Sequence, residues 1–312
     1  MLGLLCGGQG LVSATMFELV ADAPAAAPIF AASGLLLGAD PRQLVREMAP
    51  AALSDNRQNQ VLSVTAALAL HAGIADLLPS PCAVTGYSVG EMAAWSIAGI
   101  WTPQEALRLT ALRAQAMDAA TKEPGRLAYV RGLDAGRLAP LAARHGCAIA
   151  IINPHALFVL GGTEAGIAAL CEEALAMGAE RAAPLAVRIA AHTPLLQGAV
   201  SPFEAALRAS PAADPARHYR LLSGGDGARL FRAGPAMARL AAQVAQPINW
   251  TATLEALIEL GCDRFIDLGP GRALADMVRA VDSGVASHAA AEFRSLDGLR
   301  GWLRNAGTDG SR

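Results

Sequence analysis

A serine between two glycines is the first feature of this chain that could do chemistry. The pattern is Gly86-Tyr87-Ser88-Val89-Gly90, which follows the apolar run Cys82-Ala83-Val84 and precedes a run rich in Ala, Met and Trp. A G-x-S-x-G pattern between a buried strand and a helix is typical of a nucleophile elbow, whose sharp turn exposes the serine hydroxyl. The glycines are required because a Cβ there would collide with the neighbouring strand and helix. The amide of Val89 would then stabilise an oxyanion. The alternative is a surface loop with this pattern by chance, and the flanking elements favour the elbow.

Two further residues could act together with this serine. His192 lies in the stretch 189–196, after a predicted strand and just before a predicted helix, where a base could reach Ser88. A structural or surface histidine is the alternative. Arg113 lies on a helix among apolar residues. Such an arginine either extends its head group to solvent or is held in place to meet an anion.

Two glycine-rich turns follow apolar runs that predict buried strands. The run Leu2-Gly3-Leu4-Leu5-Cys6 leads into Gly7-Gly8-Gln9-Gly10, and Phe265-Ile266-Asp267-Leu268 leads into Gly269-Pro270-Gly271. The first of these turns would let backbone amides approach a ligand, although an ordinary strand-to-helix connection would look the same.

The pattern of elements predicts an α/β fold with a smaller inserted unit. Helices are expected from Asp40-Pro41, over Val61 to Ala75, and from a capping box at Thr102 to about Ala120. The middle of the chain reads as strand, helix, two strands, helix and strand, which is the order of a ferredoxin-like unit. These elements are expected at Leu127–Val130, Ala135–His145, Ala148–Ile152, Leu157–Leu160, Glu164–Met177 and Ala182–Val187. We therefore predict an α/β-hydrolase-like large domain with a parallel sheet, residues 1–125 and 189–312, and a ferredoxin-like subdomain, residues 126–188.

Composition narrows the possible partners and compartment. The 312 residues are 53% hydrophobic and carry a formal net charge of −2, and Lys122 is the only lysine. Without a basic stripe, neither nucleic acid nor an anionic membrane is an expected partner. The five cysteines are scattered and never form a C-x-x-C pair, so neither disulfides nor a zinc site is indicated, and a reducing cytoplasm fits best. No signal peptide is expected, since the sequence begins MLGLLCGGQG without a basic n-region. No membrane span is expected, since the longest weakly charged stretch, Gln58 to Ile74, contains Gln, Asn and His.

Taken together, the chain resembles the malonyl-CoA:acyl carrier protein transacylases over nearly its whole length. The residues that carry the resemblance occur in the order and spacing of that family: Gly8-Gln9-Gly10, Gly86-Tyr87-Ser88-Val89-Gly90-Glu91, Arg113, Asn153, His192, Gln243 with Pro247 and Trp250, and Asp267-Leu268-Gly269-Pro270-Gly271. Within the family, the chain more closely resembles the epsilon subunit of malonate decarboxylase. That finer resemblance depends on the stretch 5–10, on Met16-Phe17-Glu18-Leu19 and on Tyr87-Ser88-Val89.

The resemblance implies a role for each matching residue. Ser88 would be the nucleophile and His192 the base that takes and returns its proton. The amides of Gln9 and Val89 would form the oxyanion hole. The remaining roles are binding of the malonyl carboxylate by Arg113, orientation of the histidine by Gln243, and contact with the substrate cleft by Asn153. Malonyl-CoA would be a substrate, with no metal and no permanently bound cofactor.

Several functions remain open at the level of sequence. The leading one is malonyl transfer from malonyl-CoA to an acyl carrier protein, specifically the malonate decarboxylase carrier with its dephospho-CoA-derived prosthetic group. Loading of a carrier for fatty-acid or polyketide synthesis is the first alternative. A serine thioesterase or esterase is the second, and it would need an acid such as Asp134 or Glu164 to orient His192. A non-catalytic scaffold is the third, against which the intact set of Ser88, His192, Arg113 and Gln243 argues.

Overall fold

The computed structural model describes residues 1–10, 12–47 and 55–305, which fold into two β-sheets with helices packed around them. The strands are β1 Leu2–Cys6, β2 Cys82–Gly86, β3 Gly125–Arg131, β4 Ala148–Asn153, β5 Leu157–Thr163, β6 Arg181–Pro184, β7 Tyr219–Leu221, β8 Ile248–Asn249, β9 Arg264–Asp267 and β10 Ala286–Ala289. The helices are α1 Ala27–Leu37, α2 Pro41–Glu47, α3 Asn56–Ile74, α4 Gly90–Ile97, α5 Pro103–Ala120, α6 Ala135–Arg144, α7 Glu164–Ala176, α8 Gln197–Arg208, α9 Ala233–Ala242, α10 Trp250–Glu259, α11 Ala273–Val281 and α12 Leu296–Asn305.

The larger sheet is parallel and has the strand order β10-β9-β1-β2-β7. Every residue of β1 and β2 is buried, as expected for central strands of a parallel sheet covered by helices. Helix α4 packs against β1 and β2, and α11 packs against β9 and β10. Because β1 and β2 are neighbours and parallel, the turns that follow them lie at the same edge of the sheet, which brings the first glycine-rich turn beside Ser88.

The smaller sheet has the order β6-β3-β5-β4-β8. Its first four strands pair antiparallel, whereas β8 joins β4 in parallel register through Ile151 with Ile248 and Ile152 with Asn249. Helices α6 and α7 cover one face and enclose a separate apolar cluster that includes Leu138. The other face supplies Leu127, Val159 and other side chains to the main core of the molecule. The smaller sheet is therefore attached to the larger unit by both a strand and shared packing.

Several element boundaries differ from those expected from sequence. Helix α3 begins at Asn56 rather than Val61, because the Asp55 carboxylate caps it by accepting from the Gln58 amide at 2.8 Å. The last strand of the smaller sheet is expected at Ala182–Val187, whereas β6 covers Arg181–Pro184. Beyond it, the Leu185 amide donates to the Leu127 carbonyl of β3 at 2.8 Å, and the Leu127 amide donates to the Val187 carbonyl at 3.3 Å. Strand β8 was not expected, since two residues are too few to show a periodicity.

The domain limits at residues 126 and 188 stay a prediction. The last residues of the predicted large domain, 306–312, lie outside the described residues.

Residues 56–77 form a helical stretch whose length and hydropathy would allow a membrane span. In the folded chain, 72% of the most apolar 18 residues of this stretch are buried inside the protein. Its residues pack against α1, α4 and α5, so the stretch serves as a core helix here.

Candidate active site

Ser88 occupies a sharp turn between β2 and α4. Its backbone is in the left-handed region, with φ of 55°, a conformation that costs free energy for any residue with a Cβ. The turn requires glycine at both flanking positions, because neighbouring backbone atoms leave no room for a Cβ. A Cβ on Gly86 would lie 2.1 Å from the Glu91 nitrogen, and a Cβ on Gly90 would lie 2.1 Å from the Cys6 oxygen. The elbow is thus wedged between its own helix and the end of β1, and the serine side chain is presented at that edge of the sheet.

His192 lies directly beside the serine. Its Nε2 atom is 2.7 Å from Ser88 Oγ, although the two residues are 104 positions apart in the chain. Its Nδ1 atom is 2.6 Å from the backbone oxygen of Gln243. Because a carbonyl oxygen can only accept, Nδ1 carries the proton in this contact, and the neutral ring then presents an unprotonated Nε2 to the serine hydroxyl. This arrangement suits proton removal from Ser88.

The electrostatic surroundings keep His192 neutral. Its ring is 1% exposed, and burial is the main reason that its pKa falls from 6.5 to about 3. The positive charge of Arg113 lowers the pKa further, while the hydrogen bond with the Gln243 carbonyl opposes the shift. At neutral pH the ring is therefore a free base.

Gln243 orients the histidine through its backbone rather than its side chain. The side-chain Nε2 atom instead donates to Glu91 Oε2 at 2.6 Å, and Gln243 Oε1 is buried with no hydrogen-bond partner among the described residues. The resemblance implied that Gln243 orients the ring without saying which atom does so.

Glu91 is a further functional candidate, to which the sequence alone gave no role. It is buried, and its carboxylate accepts from Gln243 Nε2, from the Gly224 amide at 3.0 Å and from Trp95 Nε1 at 3.3 Å. Burial raises its pKa to about 7, and these hydrogen bonds oppose the shift. The signal in the sequence was its position in the first turn of the helix that follows Ser88. Glu91 thus anchors the segment whose carbonyl holds His192.

The two acids considered for a hydrolase-type triad lie elsewhere. Asp134 caps α6 by accepting from the Arg137 amide at 2.9 Å. Glu164 begins α7 and lies 3.5 Å from Arg126, with a half-exposed side chain. Neither residue orients His192, so within the described residues the ring is oriented by a carbonyl and not by a carboxylate.

Arg113 is buried with its charge only partly satisfied. Its Nη1 atom donates to Gln60 Oε1 at 2.6 Å and approaches Met117 Sδ at 3.3 Å. The Nη2 atom is buried without a hydrogen-bond partner among the described residues. Burial lowers the pKa of this guanidinium to about 10, an effect that Glu91 partly offsets, so the group remains charged. A buried cation with a free donor is costly unless an anion arrives to meet it, so the arrangement favours the anion-binding alternative over solvent exposure.

The remaining predicted residues lie around the serine. Val89 follows Ser88 at the start of α4, where the first amides of a helix have no acceptor within it. Gln9 belongs to the turn after β1, and a Cβ on the neighbouring Gly8 would lie 3.6 Å from the Ser88 Cβ. Asn153 ends β4, is 3% exposed and has an Oδ1 atom without a hydrogen-bond partner in the described part of the chain. Its side chain hydrogen-bonds Tyr87, which opposes the rise that burial causes in the Tyr87 pKa.

A cavity of about 460 Å³ opens between the two sheets beside these residues. Both glycine-rich turns, Tyr87 and Asn153 line it, together with side chains of the smaller sheet and of α11. The latter side chains are Tyr129, Arg131, Leu157, Val159, Arg181, Leu274 and Met277.

Asp267 positions the second turn. Its oxygens accept from the amides of Gly269 at 2.8 Å and Leu274 at 3.1 Å, and burial raises its pKa to about 7. Among the described residues, no group of three or more His, Cys, Asp and Glu side chains could hold a metal ion.

Comparisons with known proteins show the family of the chain. The model of the acyl transferase domain family matches residues 25–291. The chain is 29% identical to the malonyl CoA-acyl carrier protein transacylase of Mycobacterium bovis, over 96% of this chain and 99% of that protein. It is 27% identical to the transacylase of that name from Haemophilus influenzae, over 88% of this chain and 90% of the relative.

Solved structures give the same result. An acyl-carrier-protein S-malonyltransferase from Burkholderia pseudomallei superposes with a TM-score of 0.87 and 27% identity, covering 96% of this chain and 99% of that one. A malonyl-transacylase in complex with its type II polyketide acyl-carrier protein superposes with a TM-score of 0.87 and 25% identity, covering 95% and 97%.

Proposed function

Because this chain belongs to the acyl transferase domain family, we propose that it is a malonyl-CoA:acyl carrier protein S-malonyltransferase that works through a malonyl-serine intermediate. The observation that carries the proposal is the 2.7 Å contact between Ser88 Oγ and His192 Nε2. A buried arginine, Arg113, is close enough to lower the His192 pKa, and its Nη2 donor has no hydrogen-bond partner among the described residues. A nucleophile and base beside a fixed positive charge suit an acyl group that ends in a carboxylate.

The first half-reaction forms the ester. His192 Nε2 takes the hydroxyl proton as Ser88 Oγ attacks the thioester carbonyl of malonyl-CoA, and the carbonyl oxygen becomes an oxyanion. The amides of Gln9 and Val89 stabilise that oxyanion. When the intermediate collapses, the C–S bond breaks and the imidazolium gives its proton to the thiolate, which releases CoA. The carbonyl of Gln243 stabilises the imidazolium while it exists.

The second half-reaction reverses these roles. The thiol of the carrier's prosthetic group gives its proton to His192 and attacks the ester carbonyl. The C–O bond to Ser88 then breaks, and the serine oxygen regains the proton from the imidazolium. Throughout both steps the free carboxylate of the malonyl group pairs with Arg113, and Asn153 faces the substrate in the cavity.

The proposed acceptor is the carrier subunit of malonate decarboxylase. The support is the resemblance of the stretch 5–10 and of Tyr87-Ser88-Val89 to the epsilon subunit of that enzyme. Loading of a carrier for fatty-acid or polyketide synthesis is the alternative, and it is favoured by the similarity to a transacylase seen in complex with a polyketide carrier.

The proposal extends to the setting of the enzyme. We propose that the fold is an α/β-hydrolase-like domain with an inserted ferredoxin-like subdomain, and the strand orders of the two sheets support this proposal. The protein is proposed to act in the cytoplasm without a permanently bound cofactor.

Intact-protein mass spectrometry tests this function. The protein is incubated briefly with malonyl-CoA and then with a holo carrier of each pathway. We expect a malonyl adduct that Ser88→Ala abolishes, that persists in water and that moves to one carrier faster than to the others. Release of free malonate and CoA without transfer to any carrier would contradict the proposal in favour of a hydrolase.

A further inference from the structure

Two arginines face each other on the side of the smaller sheet that lines the cavity. Arg131 ends β3 and Arg181 begins β6, and the antiparallel register places them directly opposite each other. Both side chains line the cavity between the sheets. Alternation along the strand agrees with this placement, because Val130 points into the cluster beneath α6 and α7 and its neighbour Arg131 therefore points away from it.

Neither arginine has a counter-charge among the residues that the structure describes. Within the described part of the chain, neither guanidinium makes a hydrogen bond or ion pair, and the neighbouring Glu180 pairs with neither of them. Asp267 also lines the cavity, but backbone amides occupy its two oxygens. Like charges directly opposite on neighbouring strands are unfavourable. An anion between them would remove that repulsion, and two guanidinium forks suit the oxygens of a phosphate.

The cavity extends from this pair to residues next to the nucleophile, since Gly8 and Tyr87 line it. Gly8 lines the cavity and lies next to Ser88. A Cβ at position 8 would lie 3.6 Å from the Cβ of Ser88. Between the two ends, the walls are largely apolar, with Leu157, Val159 and Val187 among them. A thioester carried on a long, mostly uncharged arm and ending in phosphate would therefore place its acyl group at Ser88 and its phosphate at the arginines.

We propose that Arg131 and Arg181 form a phosphate site for the pantetheine-bearing substrates of this enzyme. The inference rests on the proposed function and names the part of the substrate that is recognised. The same chemistry occurs twice in the reaction, since CoA and the prosthetic group of a holo carrier both bear phosphate on the pantetheine arm.

The test compares a substrate that has phosphate with one that lacks it. Rates of Ser88 acylation are measured for malonyl-CoA and for malonyl-pantetheine, in the wild type and in the Arg131→Ala/Arg181→Ala variant. We expect the double variant to lose about tenfold in kcat/KM for each arginine with malonyl-CoA, and to match the wild type with malonyl-pantetheine. Two results would overturn the proposal. One is an equal loss of kcat/KM with malonyl-CoA and with malonyl-pantetheine. The other is a double variant that loses no rate with either thioester and none in transfer to a holo carrier. A loss confined to transfer from the adduct to a holo carrier would support the site and assign it to the prosthetic group.

Two controls separate the site from the fold and from the proposed function. Arg294→Ala removes an exposed arginine whose side chain makes no hydrogen bond or ion pair within the described residues, and it should leave all rates unchanged. The double variant should unfold at the same temperature as the wild type or higher, because a repulsive pair is removed. Calorimetry of CoA and pantetheine binding tests the site without catalysis: CoA should bind the wild type more tightly, and the variant should lose that preference. An enzyme that forms no adduct would refute the function, whereas an unchanged CoA preference would refute the phosphate site.

Discussion

His192 owes its chemistry to where it is buried. In water an imidazole is half protonated near pH 6.5 and is a poor base below that value. Here burial and the charge of Arg113 lower its pKa to about 3, while the Gln243 carbonyl holds the tautomer whose Nε2 faces Ser88. Arg113 has a second role: its Nη2 atom has no hydrogen-bond partner in the part of the chain that the structure describes, which leaves one charged donor for a substrate carboxylate.

The pH dependence of acylation tests the first of these effects. A base works when it is neutral, and a group with a pKa of about 3 is almost fully neutral above pH 5. We therefore expect the rate of malonyl-Ser88 formation, measured by rapid quench, to be nearly constant from pH 5 to pH 8. Circular dichroism at each pH confirms that the protein is folded. An acidic limb centred near 6.5 would contradict the assigned environment.

Substitution of Arg113 tests its proposed role in binding the substrate carboxylate. Arg113→Ala removes the partner of the malonyl carboxylate, so kcat/KM for malonyl-CoA should fall about 100-fold, while acetyl-CoA, which has no free carboxylate, should be used at least as well as by the wild type. Arg108→Ala is the matched control, because Arg108 lies on the same helix but pairs with Glu105 on the surface. An unchanged preference for malonyl over acetyl would assign the carboxylate to another residue.

At the scale of elements, the strand-turn-helix around Ser88 is held by contacts that leave no room for side chains. Gly90 touches the end of β1 and Gly86 touches the first turn of α4. Glu91, one residue further, ties that helix to Gly224 and Gln243. The elbow and the segment that orients the base are therefore parts of one packed unit.

A single methyl group should disrupt the elbow. Gly90→Ala places a Cβ 2.1 Å from a backbone oxygen, which forces β1 and α4 apart. We expect a loss of about 2 kcal/mol or more in the free energy of unfolding and little acylation. Gly301→Ala is the control: it lies within α12 with open space around it, and it should stabilise the protein by about 0.5–1 kcal/mol. Urea unfolding of both variants gives the comparison, and a Gly90→Ala protein as stable as the wild type would contradict the packing.

Glu91→Gln tests the buried carboxylate through pH. The folded pKa of Glu91 is raised from 4.5 to about 7, so the native state holds this proton more tightly than the unfolded chain does. Wild-type stability from this group is then fully present below pH 4.5 and is lost as pH rises to about 7. Glutamine cannot ionise and should not show that loss. The variant should therefore gain up to about 3 kcal/mol relative to wild type between pH 4.5 and pH 8, as measured by urea unfolding at both values. A pH-independent difference would contradict the burial of the charge.

At the scale of the whole molecule, the two sheets are not independent. Strand β8 leaves the larger unit to pair with β4, and Ile248 and Ile151 enter the same apolar core as the strands of the larger sheet. The cavity lies between the sheets, and its lining includes Tyr87, which precedes Ser88, and the arginine pair. The relative position of the sheets therefore sets the shape of the substrate site.

This coupling predicts a single unfolding transition. All four tryptophans, at positions 95, 101, 250 and 302, lie outside residues 125–187, so their fluorescence reports the larger unit. Hydrogen exchange of amides in β3 and β5 reports the smaller sheet. We expect both probes to give the same urea midpoint, because the shared core and β8 make the units unfold together. A lower midpoint for β3 and β5 alone would show that the smaller sheet unfolds separately.

The sequence by itself determined the features that depend on neighbours along the chain. Apolar runs separated by turn residues predicted the strand and helix around Ser88 and the order of elements in the smaller sheet, and a capping box predicted the start of α5 at Pro103. These features are local because glycine conformation, capping and hydrophobic period act over a few residues. The resemblance then pointed to Ser88, His192 and Arg113 through the order of motifs.

Only the tertiary structure decided which atoms meet. Gln243, whose carbonyl orients His192, is 51 residues from that histidine in the sequence. Glu91, whose carboxylate anchors the Gln243 side chain, is 152 residues from Gln243. The pairing of Arg131 with Arg181 depends on strand register, and β8 is too short to leave a pattern. Such contacts arise when the whole chain packs, and the resulting burial sets the pKa values of His192 and Glu91, so no local stretch of sequence contains them.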